Sequence, residues 1–190
     1  MSADERSRAV TRFGDALRAE RHLRSRRRRA IGWIALLSVA LTATIALPPR
    51  PRLLWNASAS TPIGLYRIGA LNNLATGDMV AANVPASWRA LAATRRYIPL
   101  EVPLVKRIAA EPGDTVCAIG SVITINDRRI ARRRRRDGYG RPMPWWRGCR
   151  VLRHGALFLL GDDPASFDGR YFGAVEHRDI IGRAWPLWTR

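Results

Sequence analysis

The sequence predicts a mostly β domain that follows one long apolar segment near the N-terminus. Short runs of β-type residues alternate with turn signals through most of the chain, and convincing helical periodicity is confined to residues 86–96. Residues 30–47 form the only long run that is both apolar and uncharged. The predicted strands are residues 63–68, 78–83, 104–109, 122–125, 156–160 and 180–185.

The length and composition fit one globular domain with appendages. The chain has 190 residues, of which 47% are hydrophobic and 25% charged, and this balance excludes a wholly disordered or collagen-like protein. Lys and Arg number 33 against 15 Asp and Glu, which gives a net charge of +18. A polyanion or an anionic membrane surface therefore belongs among the first partner hypotheses.

The apolar run 30–47 predicts a transmembrane helix. At about 1.5 Å per residue it reaches roughly 27 Å, close to the hydrocarbon core of about 30 Å. Every residue of 24–29 except Ser25 is arginine, so the positive-inside rule predicts a basic cytoplasmic tail over residues 1–29 and a working domain, 48–190, on the outer side. A cleaved signal peptide and a buried core helix are the alternatives, and the long basic leader disfavours the first.

Two features of the working domain have plain structural interpretations. Residues 132–136 are all arginine and predict a solvated face, followed by a Gly- and Pro-bearing surface loop or small subdomain up to Cys149. Cys117 and Cys149 could form one disulfide in an oxidising compartment or remain two buried thiols. His154 is the only histidine near either cysteine, so we expect no metal and no cofactor.

Lys106 is the strongest single candidate for chemistry. It is the only lysine among the 33 basic residues, and it lies in an apolar strand that ends at a Pro-Gly-Asp turn. Arginine stays protonated at biological pH, whereas a buried lysine can lose its proton and act as a base. A position that kept lysine in so arginine-rich a chain is therefore predicted to need a neutral amine.

Two further segments contain groups that such a base could serve. Residues 56–67 hold a run of hydroxyl side chains before a Pro and Gly bend, and residues 161–173 hold three aspartates, a serine and an arginine. A serine hydroxyl becomes a useful nucleophile once a neighbouring base takes its proton.

In order along the chain, these three segments resemble the signal peptidase I family, and more closely its conjugative-transfer branch, the TraF-type peptidases that mature a pilin subunit. They are similar to the Ser-x-Pro-x-Gly-Leu-Tyr box, the Leu-Val-Lys-Arg box ending in Pro-Gly-Asp, and the Gly-Asp-x-x-x-Ser-x-Asp-x-Arg-Tyr-Phe-Gly box. One residue separates Ser60 from Pro62, as in the TraF-type branch. The resemblance covers about residues 30–190 and implies a signal-peptidase-like β ectodomain with a small cap subdomain, a peptidase S26-like catalytic domain.

The resemblance implies a Ser/Lys dyad. Ser60 would be the nucleophile and Lys106 the general base. The Ser58 hydroxyl and the Ser60 backbone N–H would form the oxyanion hole, and Ser166 would orient the Lys106 amine. Ser58 as the nucleophile is an alternative, as is a Ser/His/Asp triad that uses His154 or His177.

The resemblance also implies a supporting group behind the dyad. If residues 166–170 are extended, the period of two puts Asp168 and Arg170 on one face, where they could pair, and Asp162 would brace the same corner. The rival interpretation is a calcium loop that uses Asp162, Asp163 and Asp168, but their spacing does not fit one.

The implied function is a membrane-anchored serine endopeptidase. It would be a single-pass protein of the bacterial inner membrane, with a cytoplasmic N-terminus and a periplasmic catalytic domain. Its partners would be the lipid bilayer and a membrane-bound precursor, a pilin subunit that it matures and could cyclise. One alternative is a general signal peptidase I, and another is a non-enzymatic, membrane-tethered, Arg-rich binder of nucleic acid or anionic lipid. No specific nucleic acid is expected.

Overall fold

The structure, a computed structural model, describes residues 24–44 and 52–190, and the chain divides into two units, residues 1–49 and 50–190. In the first unit, residues 24–44 are helical (α1). No helix in these described ranges is both long and apolar enough to pass through a membrane. Most of the predicted tail, residues 1–23, and the end of the predicted span, residues 45–47, lie outside the described residues.

Within residues 52–190, the second unit is built from ten strands in two antiparallel sheets, which confirms the mostly β class. One sheet has six strands in the order β1-β2-β10-β3-β4-β9, and the other has four in the order β7-β6-β5-β8. The elements are β1 Leu53–Asn56, β2 Gly64–Ile68, β3 Met79–Ala82, α2 Ala86–Thr94, β4 Leu104–Ala110, β5 Thr115–Ile119, β6 Val122–Ile125, β7 Arg128–Arg132, β8 Gly148–Val151, β9 Phe158–Leu160, α3 Gly169–Phe172, a 3₁₀ helix His177–Asp179, and β10 Ile180–Thr189.

The six predicted strands and the helix predicted over residues 86–96 all form, whereas β1, β5, β7 and β8 were not predicted. β7 and β8 are almost wholly exposed, so they lack the alternation of buried and exposed side chains that reveals a half-buried strand. β10 continues to Thr189, beyond the predicted end at residue 185. It shifts register between Pro186 and Trp188 and keeps its pairing with β2 up to Thr189.

The two sheets share their core through β9. Leu159 packs in a cluster with Val80 and Ile108, while its neighbour Phe158 packs in a second cluster with Val116. This division follows from the period of two, which points successive strand residues to opposite sides. Because β9 belongs to both clusters, the segment that follows it, from Gly161 onward, starts from a fixed point.

A disulfide joins β5 to β8, the strand that follows the excursion after β7, the segment up to Cys149 that was predicted to be a surface loop or small subdomain. Cys117 on β5 and Cys149 on β8 are directly opposite each other, with a Cα–Cα distance of 4.0 Å, and their sulfurs are bonded. The bond fixes β8 to the four-stranded sheet. The chain between β7 and β8 is therefore held at both ends.

Candidate functional site

Four segments of the second unit surround one cavity of about 730 Å³. Its lining comes from residues 55–60, 97–106, 134–143 and 163–171. The first segment ends β1 and continues beyond it, and the second leads into β4. The third belongs to the excursion after β7, and the fourth precedes and enters α3. The three sequence segments predicted to carry chemistry thus meet at a single cavity.

Ser60 and Lys106 are in direct contact in this cavity. Lys106 lies on β4 opposite Val80 of β3, its side chain is buried, and its Nζ donates a hydrogen bond to Ser60 Oγ. Burial lowers the pKa of the Lys106 amine from 10.5 to about 8, and the Asp168 carboxylate opposes this shift. A useful fraction of the amine is therefore neutral near pH 8, and a neutral amine beside a hydroxyl can take its proton.

Ser58 lies next to this pair. Its Oγ is 2.8 Å from Ser60 Oγ and accepts a hydrogen bond of 3.3 Å from the Ser60 backbone N–H. The two groups predicted to form an oxyanion hole are therefore neighbours. The lysine amine contacts Ser60 and not Ser58, which favours Ser60 over Ser58 as the hydroxyl that can be activated.

Asn56 organises the serine loop, residues 57–62, which contains Ser58 and Ser60. This role was not predicted from the sequence. Its buried amide Nδ2 lies within 3.1 Å of the carbonyl oxygens of Ser58, Thr61 and Pro62, and its Oδ1 accepts a hydrogen bond from the Ser58 N–H. Asparagine commonly bonds to the backbone two residues further on, and its position just before the hydroxyl run was the available signal.

Asp168 and Arg170 pair as predicted, but for a different reason. Residues 166–170 are not extended. Asp168 is the N-cap of α3 and accepts the Arg170 N–H, while Arg170 Nη1 donates to Asp168 Oδ2 at 2.8 Å. The assumption of an extended segment was wrong, because the aspartate satisfies the free N–H groups of a helix start. Arg170 also donates to the Gly161 and Asp163 carbonyls, which closes the loop between them.

The remaining two predicted residues reach the site differently. Asp162 braces it through the backbone, since its N–H donates to the Ser60 carbonyl at 2.7 Å, while its carboxylate faces Arg107 at 3.4 Å. Ser166 lines the cavity and is buried, but its Oγ has no hydrogen-bond partner within the described ranges, so the structure gives it no bond to Lys106.

Gly161 explains how Ser60 and Ser166 approach each other. A Cβ at this position would fall on the Ser166 hydroxyl and 2.8 Å from the Ser60 carbonyl oxygen. Only glycine fits between the segments that contain Ser60 and Ser166 without displacing one of them. Gly161 opens the third motif, but its place in the sequence alone did not indicate this role.

The interpretation of residues 132–136 as a solvated face is wrong for Arg133. Its side chain is only 3% exposed, donates to the Gly120 carbonyl at 2.9 Å and to the Arg170 carbonyl at 3.3 Å, and lies 4.1 Å from the centre of the Trp145 ring. Arg133 thereby attaches the excursion after β7 to α3. Trp145 lies twelve positions away in sequence, so only the fold shows that this arginine is stacked on it.

The competing sites do not assemble in the part of the chain that the structure describes. His154 and His177 are absent from the cavity lining. The three aspartates of the rival calcium loop do not converge, since Asp168 pairs with Arg170 and Asp162 with Arg107, and no group of His, Cys, Asp or Glu there is suited to hold a metal.

A serine hydroxyl held against a buried lysine amine, in the wall of a cavity, is the arrangement that a serine hydrolase with a lysine base requires. The chain belongs to the signal peptidase, peptidase S26, family, whose model matches residues 26–188. Membership of this family supports a serine peptidase activity.

Two similar proteins are named as conjugal transfer proteins. A conjugal transfer protein TraF of Agrobacterium tumefaciens is 31% identical over 174 residues, which cover 86% of this chain and 98% of that protein. A probable conjugal transfer protein TraF of Sinorhizobium fredii is 29% identical over 180 residues, covering 88% and 95%. A solved signal peptidase I of Enterococcus faecalis matches 60% of this chain and 98% of its own at 20% identity with a TM-score of 0.35, too low to support an inference.

Replacing Asn56 by Ala should disorder the serine loop without removing the reactive groups. We expect a loss of about 10- to 100-fold in kcat, because a small displacement of a nucleophile is costly, and about 1–3 kcal/mol of stability from the unpaired carbonyls. Steady-state kinetics and thermal unfolding measure both effects. Asn83→Ala, outside the cavity, is the matched control, and an unchanged kcat in Asn56→Ala would contradict the positioning role.

Proposed function

We propose that this chain is a membrane-anchored serine endopeptidase that uses Ser60 as nucleophile and Lys106 as general base. The observation that carries the proposal is the hydrogen bond between the buried Lys106 amine and Ser60 Oγ inside the cavity. Family membership supports the same class of reaction.

The chemistry follows from the positions of these groups. The neutral Lys106 amine takes the proton of Ser60 Oγ as that oxygen attacks the carbonyl carbon of the scissile peptide bond. The Ser60 N–H and the Ser58 hydroxyl would turn from each other to the oxyanion that forms. The Lys106 ammonium then gives its proton to the leaving amine, the C–N bond breaks, and an acyl-ester on Ser60 remains.

The acyl-ester is then resolved by a second nucleophile. Water would give a linear product, and an amino group of the same precursor would give a cyclic one. In both cases Lys106 takes a proton from the attacking group, and Ser60 Oγ leaves as a hydroxyl. Asp168 and Arg170 touch neither reacting atom, so their proposed role is to hold the loop that surrounds the dyad.

We infer that the enzyme works at the outer face of the bacterial inner membrane. The apolar run 30–47 would anchor it with the Arg-rich tail in the cytoplasm, and the bilayer would then be a direct partner. Trp55 and Trp188 stack with ring centres 5.8 Å apart, and each is about half exposed (52% and 54%), which suits a surface near lipid headgroups. The catalytic domain would lie in the periplasm.

The substrate we propose is a membrane-bound pilin precursor of a conjugation system. The relatives that align along almost their whole length are conjugal transfer proteins, and this supports the assignment. General removal of signal peptides from exported proteins is the second candidate, favoured by the signal peptidase family description.

The proposal is tested by the intact mass of a small candidate prepilin co-expressed with the wild-type protein or with Ser60→Ala. We expect trimming only with the wild type, and a product one water lighter than the linear fragment if the acyl-ester is resolved by an internal amine. A precursor trimmed equally in both strains would refute the serine mechanism. A panel of exported proteins with signal peptides, assayed in the same strains, separates the two substrate classes.

A further inference from the structure

Two arginines of the 132–136 run face the cavity that contains the dyad. Arg134 and Arg136 line it, whereas Arg135, between them, does not. Their position is fixed by neighbours: Arg133 is buried against α3, and the Arg134 N–H donates to the Tyr171 hydroxyl at 2.9 Å. The backbone that carries these cations is therefore held at Arg133 and Arg134 against α3, the helix that holds the loop around the dyad.

The carboxylates of the cavity wall do not neutralise them. Asp137 accepts hydrogen bonds of 2.6 Å from both Tyr97 and Arg141, and Asp163 accepts one of 2.6 Å from the Ala165 N–H. Within residues 24–44 and 52–190, neither Arg134 nor Arg136 forms an ion pair.

The other bonds of the two arginines leave donors available. Arg136 donates through Nη1 to the Gly140 carbonyl at 2.5 Å, and within residues 52–190 the Arg134 side chain makes no hydrogen bond, its backbone N–H alone being bonded. The exposed guanidinium of Arg134 is therefore available to an anion that enters the cavity. A guanidinium binds a carboxylate through two parallel hydrogen bonds, and carboxylates are the anionic groups of an unmodified peptide, so a carboxylate is the group of a peptide substrate that these cations would bind.

We propose that Arg134 and Arg136 form a carboxylate subsite that selects the substrate. The inference rests on the proposed peptidase function and narrows its substrate class to peptides with a carboxylate near the scissile bond. The carboxylate can come from an Asp or Glu side chain or from the chain terminus, which the two arginines would bind through the same contacts. Binding would weaken as ionic strength rises, because both arginines are exposed to solvent.

Binding to the Ser60→Ala protein tests the subsite separately from cleavage. The probes are short alanine-rich peptides that contain a single Glu or Gln at successive positions, each made as a free acid and as a C-terminal amide. Fluorescence anisotropy should show at least about tenfold tighter binding for one Glu peptide over its Gln partner, or for free acids over amides. Which pair differs identifies the source of the carboxylate.

Arginine variants locate the effect. The preference should vanish when Arg134→Gln and Arg136→Gln are combined, and persist in Arg135→Gln, the matched control from the same run. Arg134→Glu should instead favour a Lys peptide over a Glu peptide. Thermal unfolding checks that the exposed substitutions leave the fold intact.

Cleavage by the active protein then separates the two proposals. We expect the same preference in kcat/KM, mainly through KM. Equal binding of Glu, Gln, free-acid and amide peptides, no binding of any of them, or a preference that survives the double Arg variant would overturn the carboxylate subsite. Carboxylate-selective binding without Ser60-dependent cleavage of any peptide or precursor would leave the subsite standing and count against the peptidase.

Discussion

Replacing Ser60 by Ala is expected to lower kcat/KM for peptide cleavage by about 10⁴-fold or more, with the fold unchanged. The Ser60 hydroxyl is the group that the Lys106 amine contacts, so its removal deletes the proposed nucleophile and leaves the proposed base without a proton to take. The smaller side chain creates little strain because the site is a cavity wall. Cleavage kinetics on the purified variant, with circular dichroism for the fold, measure the effect.

Ser58→Ala is the matched control, because it deletes a hydroxyl only 2.8 Å away. Loss of one oxyanion donor typically costs about 10²–10³-fold in kcat, so this variant should keep measurable activity. The reverse result, an active Ser60→Ala and an inactive Ser58→Ala, would assign the nucleophile to Ser58.

Replacing Lys106 by Arg is expected to reduce cleavage about as severely as the loss of Ser60. A guanidinium keeps the positive charge but cannot accept a proton at any usable pH, and residues that act as a unit each cost nearly the whole effect. Arg107→Lys, the reverse exchange at the next position of the same strand, should cleave normally. Activity in Lys106→Arg close to that of the wild type would exclude the lysine base.

The same lysine sets the pH dependence. With Lys106 as the proposed base, cleavage needs the neutral amine, so kcat/KM of the wild type should rise with pH and level off above a pKa of about 8. In the unfolded chain the lysine keeps a pKa near 10.5, so the unfolded state binds more protons between about pH 8 and 10.5, and wild-type stability rises across that window.

The buried ammonium therefore costs stability below pH 8. Lys106→Met should unfold at a higher temperature than the wild type at pH 7, by the equivalent of up to about 3 kcal/mol, and the difference should vanish above about pH 10.5. Equal stability of Lys106→Met and the wild type both at pH 7 and above about pH 10.5 would contradict a desolvated amine.

The sequence was sufficient where residue chemistry or pattern is distinctive. The six predicted strands came from short β-type runs bounded by turn signals, and a lone lysine among arginines pointed to Lys106 because arginine cannot act as a base. The segment containing Ser60 came from the resemblance, and the fold brings it to Lys106, 46 positions away in sequence.

What the sequence could not predict depends on contacts between distant segments. Asp168 and Arg170 meet because Asp168 caps α3, whereas the expectation from the sequence assumed that these residues are extended. Arg133 and Arg134 are equivalent in sequence, yet one is buried against Trp145 and the other lines the cavity, because only the docking of the excursion on α3 distinguishes them. Exposed strands such as β7 have no alternation of buried and exposed side chains, so their sequences give no periodic signal.

The Ser/Lys dyad is tested most directly by trapping the acyl-enzyme. The protein is mixed with an activated ester of a short alanine-rich peptide, and the site and rate of acylation are read by intact mass and peptide mapping across a range of pH. We predict a single acyl group on Ser60, formed at a rate that rises through a pKa of about 8 and is lost in Lys106→Met. Acylation at another residue, or at an equal rate in Lys106→Met, would contradict the dyad.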